Sequence, residues 1–486
     1  MDTIAEAVYY RGGLRGWSGL PTARSAWIGW FAMDCNRYAL GIRRLSALFA
    51  VILTLASAAS AEWNEKVLYS FQSVPDGATP VGAVVFDKQG NLYGTTRDGG
   101  SSSCPSVQQC GTVYQLAPPA KAGDPWKETV LYIFKGNTSK DGASPYGGLV
   151  IDAAGNLYGT TGYGGTGNCV VLGILMGCGT VFELSPPKQK GGPWTETVLY
   201  SFPTPKQGFV PWGDLVFDGA GNLYGATIYG GGYGTNCGDA YYKYCGAVFE
   251  LSPPKIKGGK WTEKTLHGFR GVAVGVQFGD GANPNGGLVL DGTGAIFGTT
   301  SIGGYNCPQF QGVGCGTAFE LKPPAKTGGV WTEKVLHRFT DGNDGASPNG
   351  GLIFDAEGSL YGVAGAGGTQ DSGVVFRFTQ TGGRWIESLL HSFQGTKDES
   401  DPQGLVFDSL GNLYCSSGSI VRLKRPKQKM GSWVLTVLYE FQGPPDGRTP
   451  LELTMRTGDA LYGTTVYGGA GQSCQGGCGT VFEVFP

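Results

Sequence analysis

The sequence has 486 residues and a formal net charge of -2, which leaves no basic surplus for binding nucleic acid or acidic lipid. Glycine contributes 86 residues, while aromatic residues make up 12% and charged residues 15% of the chain. A disordered glycine-rich linker would lack these aromatic residues. Many tight turns between short aromatic strands produce both excesses, so the composition favours an all-β protein.

The first part of the chain has the residue order of a targeting segment. A pair of arginines precedes the apolar run Leu45–Ala56, and small residues follow it. This order predicts a secretory signal cleaved before Glu62. The apolar run is shorter than the ~20 residues of an ordinary membrane helix, so no stable membrane span is expected after signal removal. We assign residues 1–61 to targeting, with Met33 as an alternative start, and residues 62–486 to the folded domain.

A tryptophan-led segment, typified by Trp63–Phe71, recurs seven times along the rest of the chain. Each copy is followed by a turn, an apolar run such as Gly148–Asp152, a Gly-Asn corner, and two further runs such as Leu157–Thr161 and Gly179–Leu184. Alternation and the flanking Gly, Pro and Asp are typical of strands. The repeat therefore predicts an all-β fold, a seven-bladed β-propeller of four-stranded antiparallel blades.

The order of the runs also predicts how the ring closes. We assign the Gly-Leu-Val-x-Asp run to strand A near the axis, the next two runs to strands B and C, and the tryptophan-led run to strand D at the rim. The domain then begins with a lone D strand and ends with strands A, B and C of the last unit. The N-terminal strand is therefore expected to complete the last blade.

Ten of the 12 cysteines form five local couples, each in a loop between strands B and C. The couples are Cys104/Cys110, Cys169/Cys178, Cys237/Cys245, Cys307/Cys315 and Cys474/Cys478. Zinc is the rival interpretation, but the intervals within the couples vary and no histidine is nearby. Export to an oxidising compartment favours local disulfides, which stiffen short loops rather than hold the fold together.

The repeated unit resembles the bacterial tandem repeat called GloVer. Residues 147–183 carry its pattern almost completely: Gly-Leu-Val-x-Asp-x-x-Gly-Asn-Leu-Tyr-Gly-Thr-Thr, then a Gly-Gly loop, then Gly-Thr-Val-Phe. The resemblance spans about 62–486 and implies an exported or surface protein. It brings no agreed activity with it, so the chemistry must be argued from individual residues.

Aromatic residues concentrate on the face that carries the D–A and B–C connections, which we call the loop face. Variable loops on a rigid scaffold often bind ligands, and exposed aromatic rings suit sugar rings or peptide segments. The candidate ligand-binding residues are Tyr163, Tyr229, Tyr233, Tyr241, Tyr242, Tyr244, Tyr305 and Tyr467. Three of them (Tyr163, Tyr229 and Tyr467) share one repeat position, and packing between blades is the alternative role for those three.

The polar residues offer little catalytic machinery. The three histidines replace a strand-D tyrosine on separate blades, which argues against a Ser-His-Asp triad and against a histidine-based metal site, so no metal ligands are assigned. Most aspartates precede turns and are expected to cap them. Two carboxylates differ: Asp214 and Glu452 occupy a strand-A position that is small in the other repeats. Both could face the channel as an acid–base pair or bind a cation such as calcium. The alternative is sequence drift beside a solvent-filled channel, which leaves the chain without catalytic residues.

These observations favour an exported β-propeller binding module that is a monomer. No cofactor is expected, except that calcium could bind. Its expected partners are polysaccharide or extracellular protein, and its expected location is secreted, periplasmic or at the cell surface. The alternatives are a polysaccharide-acting or lactonase-type enzyme that uses Asp214 and Glu452, and a structural surface spacer.

Overall fold

Strands account for all the regular structure in the described part of the chain. The computed structural model describes residues 63–486 except 102–109, 122, 137–139, 172, 233–244, 257, 273–278, 306, 308–312, 327, 396–399, 429–430 and 457. Within these residues no helix is present, and therefore none that is long and apolar enough to cross a membrane. The predicted targeting segment lies outside the described residues.

Seven four-stranded antiparallel sheets form the blades of a β-propeller, as predicted. Strands A to D are Ala78–Phe86, Leu92–Asp98, Thr112–Ala117 and Lys127–Ile133 in blade 1; Val150–Ile151, Leu157–Thr161, Thr180–Ser185 and Thr195–Ser201 in blade 2; Phe209–Phe217, Leu223–Tyr229, Ala247–Ser252 and Thr262–Gly268 in blade 3; and Val289–Leu290, Ile296–Thr300, Thr317–Lys322 and Thr332–Arg338 in blade 4.

The remaining blades repeat this arrangement. They consist of Ala346–Phe354, Leu360–Ala366, Val374–Thr381 and Arg384–Ser392 in blade 5; Gln403–Phe407, Leu413–Ser416, Ser419–Lys424 and Val434–Glu440 in blade 6; and Gly447–Met455, Leu461–Gly468, Thr480–Phe485 and Asn64–Ser70 in blade 7. Two short pairs lie outside the blades' sheets: Gly142–Ala143 with Tyr163–Gly164, and Val170–Val171 with Ile174–Leu175.

The residue pattern of each strand matches its distance from the axis. The rim strand Lys127–Ile133 alternates exposed and half-buried residues over its first half, as expected for a strand with one solvated face. Strand B of blade 2, Leu157–Thr161, is buried at every position. Its Gly-Thr-Thr end suits this position because small side chains let neighbouring blades approach on both faces.

The ring closes through the two ends of the domain. Strand Asn64–Ser70 pairs antiparallel with Thr480–Phe485, so that Asn64 lies opposite Phe485 and Ser70 lies opposite Thr480. The lone N-terminal D strand thus completes blade 7, which confirms the closure predicted from the order of the repeats.

The hydrophobic core lies between adjacent blades. One cluster combines Tyr93, Val113 and Phe134 of blade 1 with buried residues of blade 2 that include Leu157 and Phe182. Phe134 follows strand D of blade 1 and meets Phe182 of blade 2 edge-on, with ring centroids 5.1 Å apart. The same contact recurs at five other interfaces, in the pairs Phe71–Tyr114, Phe202–Phe249, Phe269–Phe319, Phe339–Phe376 and Phe441–Phe482.

A backbone hydrogen bond also joins adjacent blades near the loop face at six of the seven interfaces. In each case the donor residue precedes the proline at the start of strand A and has a left-handed backbone conformation. Its N–H donates to a backbone carbonyl of the preceding blade, that of the residue just before the glycine at the start of strand C. Val210, for example, has φ 56° and donates to the Cys178 carbonyl at 3.2 Å. Equivalent bonds are Thr79–Cys478, Ser144–Cys110, Asn283–Cys245, Ser347–Cys315 and Asp401–Ser372.

The predicted cysteine couples brace these connections. Disulfides join Cys169 to Cys178, Cys307 to Cys315 and Cys474 to Cys478. Cys110 and Cys245 are also disulfide-bonded, while Cys104 and Cys237 lie outside the described residues. The second cysteine of each couple supplies the carbonyl of an interblade hydrogen bond, so the disulfide stiffens the loop where it meets the next blade. Cys415 is buried in strand B of blade 6.

Candidate functional site

The strand-A segments surround the axis in a continuous ring. Strand A carries a bulge in several blades, with register shifts such as the one between Trp212 and Val216. At this point the backbones of neighbouring blades approach closely. Gly82 has φ 68°, and a side chain there would collide with the backbone of Gly148 in the next blade. This close approach explains the glycine at that position, which immediately precedes the position of Ala83, Gly148 and Asp214.

Asp214 and Glu452 are the carboxylates of this ring, and the fold brings them close enough to interact. The Gly148 N–H donates to Asp214 Oδ1 at 2.5 Å, across the interface between blades 2 and 3. The Ala83 N–H donates to the Glu452 carboxylate, across the interface between blades 7 and 1. Both residues are half-buried. They therefore line a space that water enters.

The electrostatic environment favours protonation of this pair. Burial raises the pKa of Asp214, and the hydrogen bond from Gly148 opposes that rise. Burial also raises the pKa of Glu452, and the nearby charge of Asp214 raises it further. No basic side chain is among the groups that shift either pKa. Two such carboxylates can share a proton or bind a cation.

An aromatic cluster lies where the strand-A segments of blades 2 and 3 begin, on the side of the loop face, and we call this place the channel entrance. Tyr146 of blade 2 stacks on Trp212 of blade 3, with ring centroids 3.9 Å apart and an angle of 18° between the planes. Tyr163 meets Tyr146 edge-on at 6.1 Å. All three side chains are partly exposed. Because Trp212 precedes Asp214 by two positions on strand A, the aromatic entrance and the carboxylates belong to the same channel.

A charged pair lies beside the aromatic cluster. Arg97 Nη2 lies 3.0 Å from Asp98 Oδ2, and the Arg97 guanidinium is 6.0 Å from the centre of the Tyr146 ring. Burial lowers the pKa of Arg97, but the charge of Asp98 outweighs it and keeps the guanidinium protonated. The entrance therefore combines flat apolar faces with a fixed cation and a carboxylate.

The predicted aromatic residues divide into three groups. Tyr163 belongs to the channel entrance, and Tyr467 lies near enough to Arg97 to affect its pKa. Tyr229 packs within its own blade against Phe209 at 5.3 Å, and Tyr305 lies on the surface with 38% exposure. The other predicted residues lie outside the described part of the chain: Tyr233, Tyr241, Tyr242 and Tyr244.

Sequence reasoning missed Tyr146, Trp212 and Arg97 as entrance residues. A signal was present: the position before the strand-A glycine holds an aromatic residue in blades 2 and 3 only. The corresponding residues elsewhere are Val81, Asn285, Asn349, Gln403 and Leu451. The stacking could not be foreseen because it joins two blades.

The repeated aspartates cap turns, as predicted. Asp87 Oδ1 accepts the N–H groups of Gln89 and Asn91, and Asp87 Oδ2 accepts the Asn91 amide and the Tyr93 hydroxyl. The same set of bonds surrounds Asp152, Asp218 and Asp408. These carboxylates are fully used by the fold and offer no free chemistry.

Two open clefts lie away from the channel. One, of about 520 Å³, is lined by residues of the C–D connection of blade 3, including Pro254 and Lys260. The other, of about 580 Å³, lies at the rim between Trp63 and Tyr439. Neither contains the stacked rings or the paired carboxylates of the channel. The two clefts offer open volume, whereas the channel brings aromatic rings and carboxylates together. We therefore take the channel as the candidate site.

Comparison with solved structures finds other proteins of low sequence identity. A protein of unknown function from Dyadobacter fermentans is 13% identical, with 87% of this chain and 98% of that chain covered and a TM-score of 0.43. The PQQ-bound aldose sugar dehydrogenase from Streptomyces coelicolor is 13% identical, with coverage of 87% and 98% and a TM-score of 0.42. A protein from Lactobacillus plantarum is 13% identical, with coverage of 74% and 86% and a TM-score of 0.46. These similarities carry no inference about ligand or reaction.

A comparison with proteins of curated function finds no match. The sequence profile of the Gloeobacter/Verrucomicrobia repeat matches residues 51–235 and 170–421, and so includes the repeats whose strands build blades 1 to 5. The strand order, the capped turns and the interblade contacts described above are the structural form of that repeat. The chain therefore belongs to the Gloeobacter/Verrucomicrobia repeat family.

Proposed function

We propose that this chain is an exported binding module that holds carbohydrate at the loop-face entrance of its channel. The observation that carries the proposal is the stacked pair Tyr146–Trp212, partly exposed and placed beside the Arg97–Asp98 ion pair. Flat aromatic faces bury the C–H surfaces of sugar rings. Fixed charged groups next to them hydrogen-bond to hydroxyl groups and orient the sugar.

The disulfides support export. Three are formed within the described residues, and disulfides persist mainly in oxidising compartments. A secreted, periplasmic or cell-surface location also gives access to polysaccharide.

The test is binding of the purified protein to a broad polysaccharide and glycan panel, with and without calcium. Trp212→Asn and Tyr146→Asn are suitable variants because blades 4 and 5 carry Asn285 and Asn349 at the same repeat position. Each should weaken binding by about tenfold or more, as expected when a central aromatic contact is lost. Asn349→Val, which introduces the residue of blade 1, is the matched control and should leave binding unchanged.

Two results would contradict the proposal. One is a panel without any selective binding, which would redirect the search to protein partners of the same face. The other is selective binding that Trp212→Asn and Tyr146→Asn do not affect, which would move the site away from the entrance.

A second candidate function rests on the paired carboxylates. Asp214 and Glu452 interact in the channel below the aromatic cluster, and their raised pKa values would let one act as an acid while the other is a base. A polysaccharide-acting or lactonase-type activity would use them in this way. Product assays on bound glycans and on lactones would test it, and activity that survives both Asp214→Gly and Glu452→Gln would exclude this siting. Asp214→Gly introduces the residue found at this position in blades 2, 4, 5 and 6.

A further inference from the structure

The rim of the ring carries a repeated contact between blades. The strand-D tyrosine of one blade donates its hydroxyl to the aspartate of the following D–A turn, in the pairs Tyr69–Asp76 at 2.6 Å, Tyr132–Asp141 at 2.8 Å and Tyr439–Asp446 at 2.9 Å. A glutamate from strand D of the next blade lies close enough for its charge to add to the rise that burial causes in the pKa of the tyrosine. In the first pair it is Glu128, whose pKa is raised to about 7 by burial and by the charge of Asp76.

His267 occupies the tyrosine position at the interface between blades 3 and 4, and its geometry differs from that pattern. His267 Nε2 lies 3.4 Å from Asp280 Oδ2, and it is buried without a hydrogen-bond partner among the described residues. Asp280 Oδ1 already accepts the Arg270 N–H at 2.7 Å. One oxygen of Asp280 is therefore used by the turn, while the other faces the imidazole.

Glu333, from strand D of blade 4, completes the group. One ligand atom each from His267, Asp280 and Glu333 lies within 4.8 Å of the other two. Glu333 Oε1 is buried without a hydrogen-bond partner in the described structure. Burial raises the pKa of Glu333, whereas the charges of Arg338 and Arg270 lower it. Arg338 Nε donates its hydrogen bond to the Gly279 carbonyl, at 2.9 Å, and not to Glu333. Three potential ligand groups thus converge, and two of their atoms, His267 Nε2 and Glu333 Oε1, make no hydrogen bond in the described structure.

We propose that His267, Asp280 and Glu333 bind a divalent transition-metal ion of the Zn²⁺ class. One imidazole nitrogen and two carboxylate oxygens are ligands that Zn²⁺ accepts, and a hard cation such as Ca²⁺ would disfavour the imidazole. Bonds of about 2.1 Å in a tetrahedral site place ligand atoms about 3.4 Å apart, which the His267–Asp280 separation already meets. A fourth position would be left for water.

The next interface provides an internal comparison. His337, Asp344 and Glu387 are the same three residue types at the same repeat positions. There His337 Nε2 and Asp344 Oδ2 form a direct hydrogen bond of 2.9 Å, and Asp344 also accepts the Thr340 hydroxyl at 2.6 Å. Glu387 Oε1 lacks a hydrogen-bond partner in the described structure, as Glu333 Oε1 does. Because His337 and Asp344 satisfy each other, however, the interface between blades 4 and 5 is not expected to bind the metal.

The three ligands come from three segments: strand D of blade 3, the turn into blade 4, and strand D of blade 4. A bound ion would therefore tie two blades together at the rim, on the opposite side of the blade from the channel. The metal site is independent of the proposed carbohydrate function, and either can fail without the other.

The experiment measures Zn²⁺ binding by the full chain after treatment with a chelator, by calorimetric titration and by competition with a chromophoric chelator. His267→Tyr is the informative variant because it restores the tyrosine of the repeat and should keep the fold. It should lower Zn²⁺ affinity by more than the roughly 10–100-fold that is lost when a residue hydrogen-bonded to a metal ligand is removed, because His267 is itself a proposed ligand. His337→Tyr is the matched control and should bind Zn²⁺ as the unsubstituted chain does.

A second readout separates the site from surface binding. Zn²⁺ should raise the melting temperature of the unsubstituted chain and of His337→Tyr, but not that of His267→Tyr or Glu333→Gln. The proposal is overturned if the unsubstituted chain binds no Zn²⁺, if His267→Tyr binds it equally well, or if His337→Tyr loses binding to the same extent.

Discussion

The repeated framework and the channel use the same sequence repeat in opposite ways. In the framework, six of the seven interfaces between blades make the same contact: an aromatic ring after strand D meets an aromatic ring of strand C, as Phe134 meets Phe182. At the channel, the equivalent strand-A position is Ala83, Gly148, Asp214, Gly287, Gly351, Gly404 or Glu452. The entrance position, which Tyr146 and Trp212 occupy in blades 2 and 3, varies even more in residue type.

This difference shows where the chain can change without losing the fold. Framework residues fill a packed space between two blades, so a substitution there leaves a cavity. Channel residues border a space instead of filling a packed interface, so departures from the repeat leave no cavity and can carry chemistry. Asp214 and Glu452, together with the stacked Tyr146 and Trp212, are departures of this kind.

The largest expected effect is at the framework. Phe182→Ala removes a fully buried ring at the interface between blades 1 and 2 and should lower the free energy of unfolding by about 3–5 kcal/mol. Val434→Ala, at a residue 60% exposed, is the control and should change it by less than about 0.5 kcal/mol. Chemical denaturation monitored by tryptophan fluorescence compares the two. Similar values for both variants would mean that the interblade contact is not a main source of stability.

Removing a disulfide should have an intermediate effect. Cys169 and Cys178 are nine residues apart, and the double variant Cys169→Ala/Cys178→Ala should lose about 2–3 kcal/mol from the chain-entropy effect. The ring should survive, because the Asp401–Ser372 hydrogen bond in blades 5 and 6 forms without a cysteine at that position. Denaturation with and without reductant measures the loss. Complete unfolding of the double variant would show that the disulfide holds the fold rather than stiffening a loop.

The smallest expected effect is at the channel and depends on pH. Burial raises the pKa of Glu452 from its ordinary value to about 8, so the folded ring holds this proton more tightly than the unfolded chain does. Its contribution to stability is therefore present at low pH and falls as the pH rises from about 4.5 to about 8.

Glu452→Gln removes that titration and keeps the side-chain size. The variant should gain on the order of 1–2 kcal/mol at pH 8.5 and change little at pH 4, a gain reduced because the side chain still contacts solvent. Denaturation at the two pH values measures it, with the exposed Glu440→Gln as control. A gain of equal size at both pH values would contradict the assigned cause.

Repetition explains how much of the fold could be predicted. Seven copies of the same strand pattern define the blades, and the lone D strand at Trp63–Phe71 defines the closure, because a ring leaves no other partner for it. Asp214 and Glu452 were found for the same reason: they break a position that is otherwise small.

The contacts between blades were harder to predict. The stacking of Tyr146 on Trp212 depends on the strand-A bulge, and a bulge is not visible in the alternation of residues. The three histidines lie on separate blades, as expected, but His267 meets Asp280 and Glu333 through packing between blades 3 and 4. Sequence analysis considered only whether the histidines could meet one another, and it did not weigh these two carboxylates as partners of His267.

The closing strand pair also has a mechanical consequence. Asn64 lies opposite Phe485, so the chain enters and leaves the ring at the same end of one antiparallel ladder. A pulling force applied between these two points would load one hydrogen-bonded rung at a time, whereas the other blades are held by strands covalently joined at their turns. Under tension the hydrogen bonds between the first and last strands of the ring would therefore break one after another, and the ring would open at blade 7 before any other blade separates.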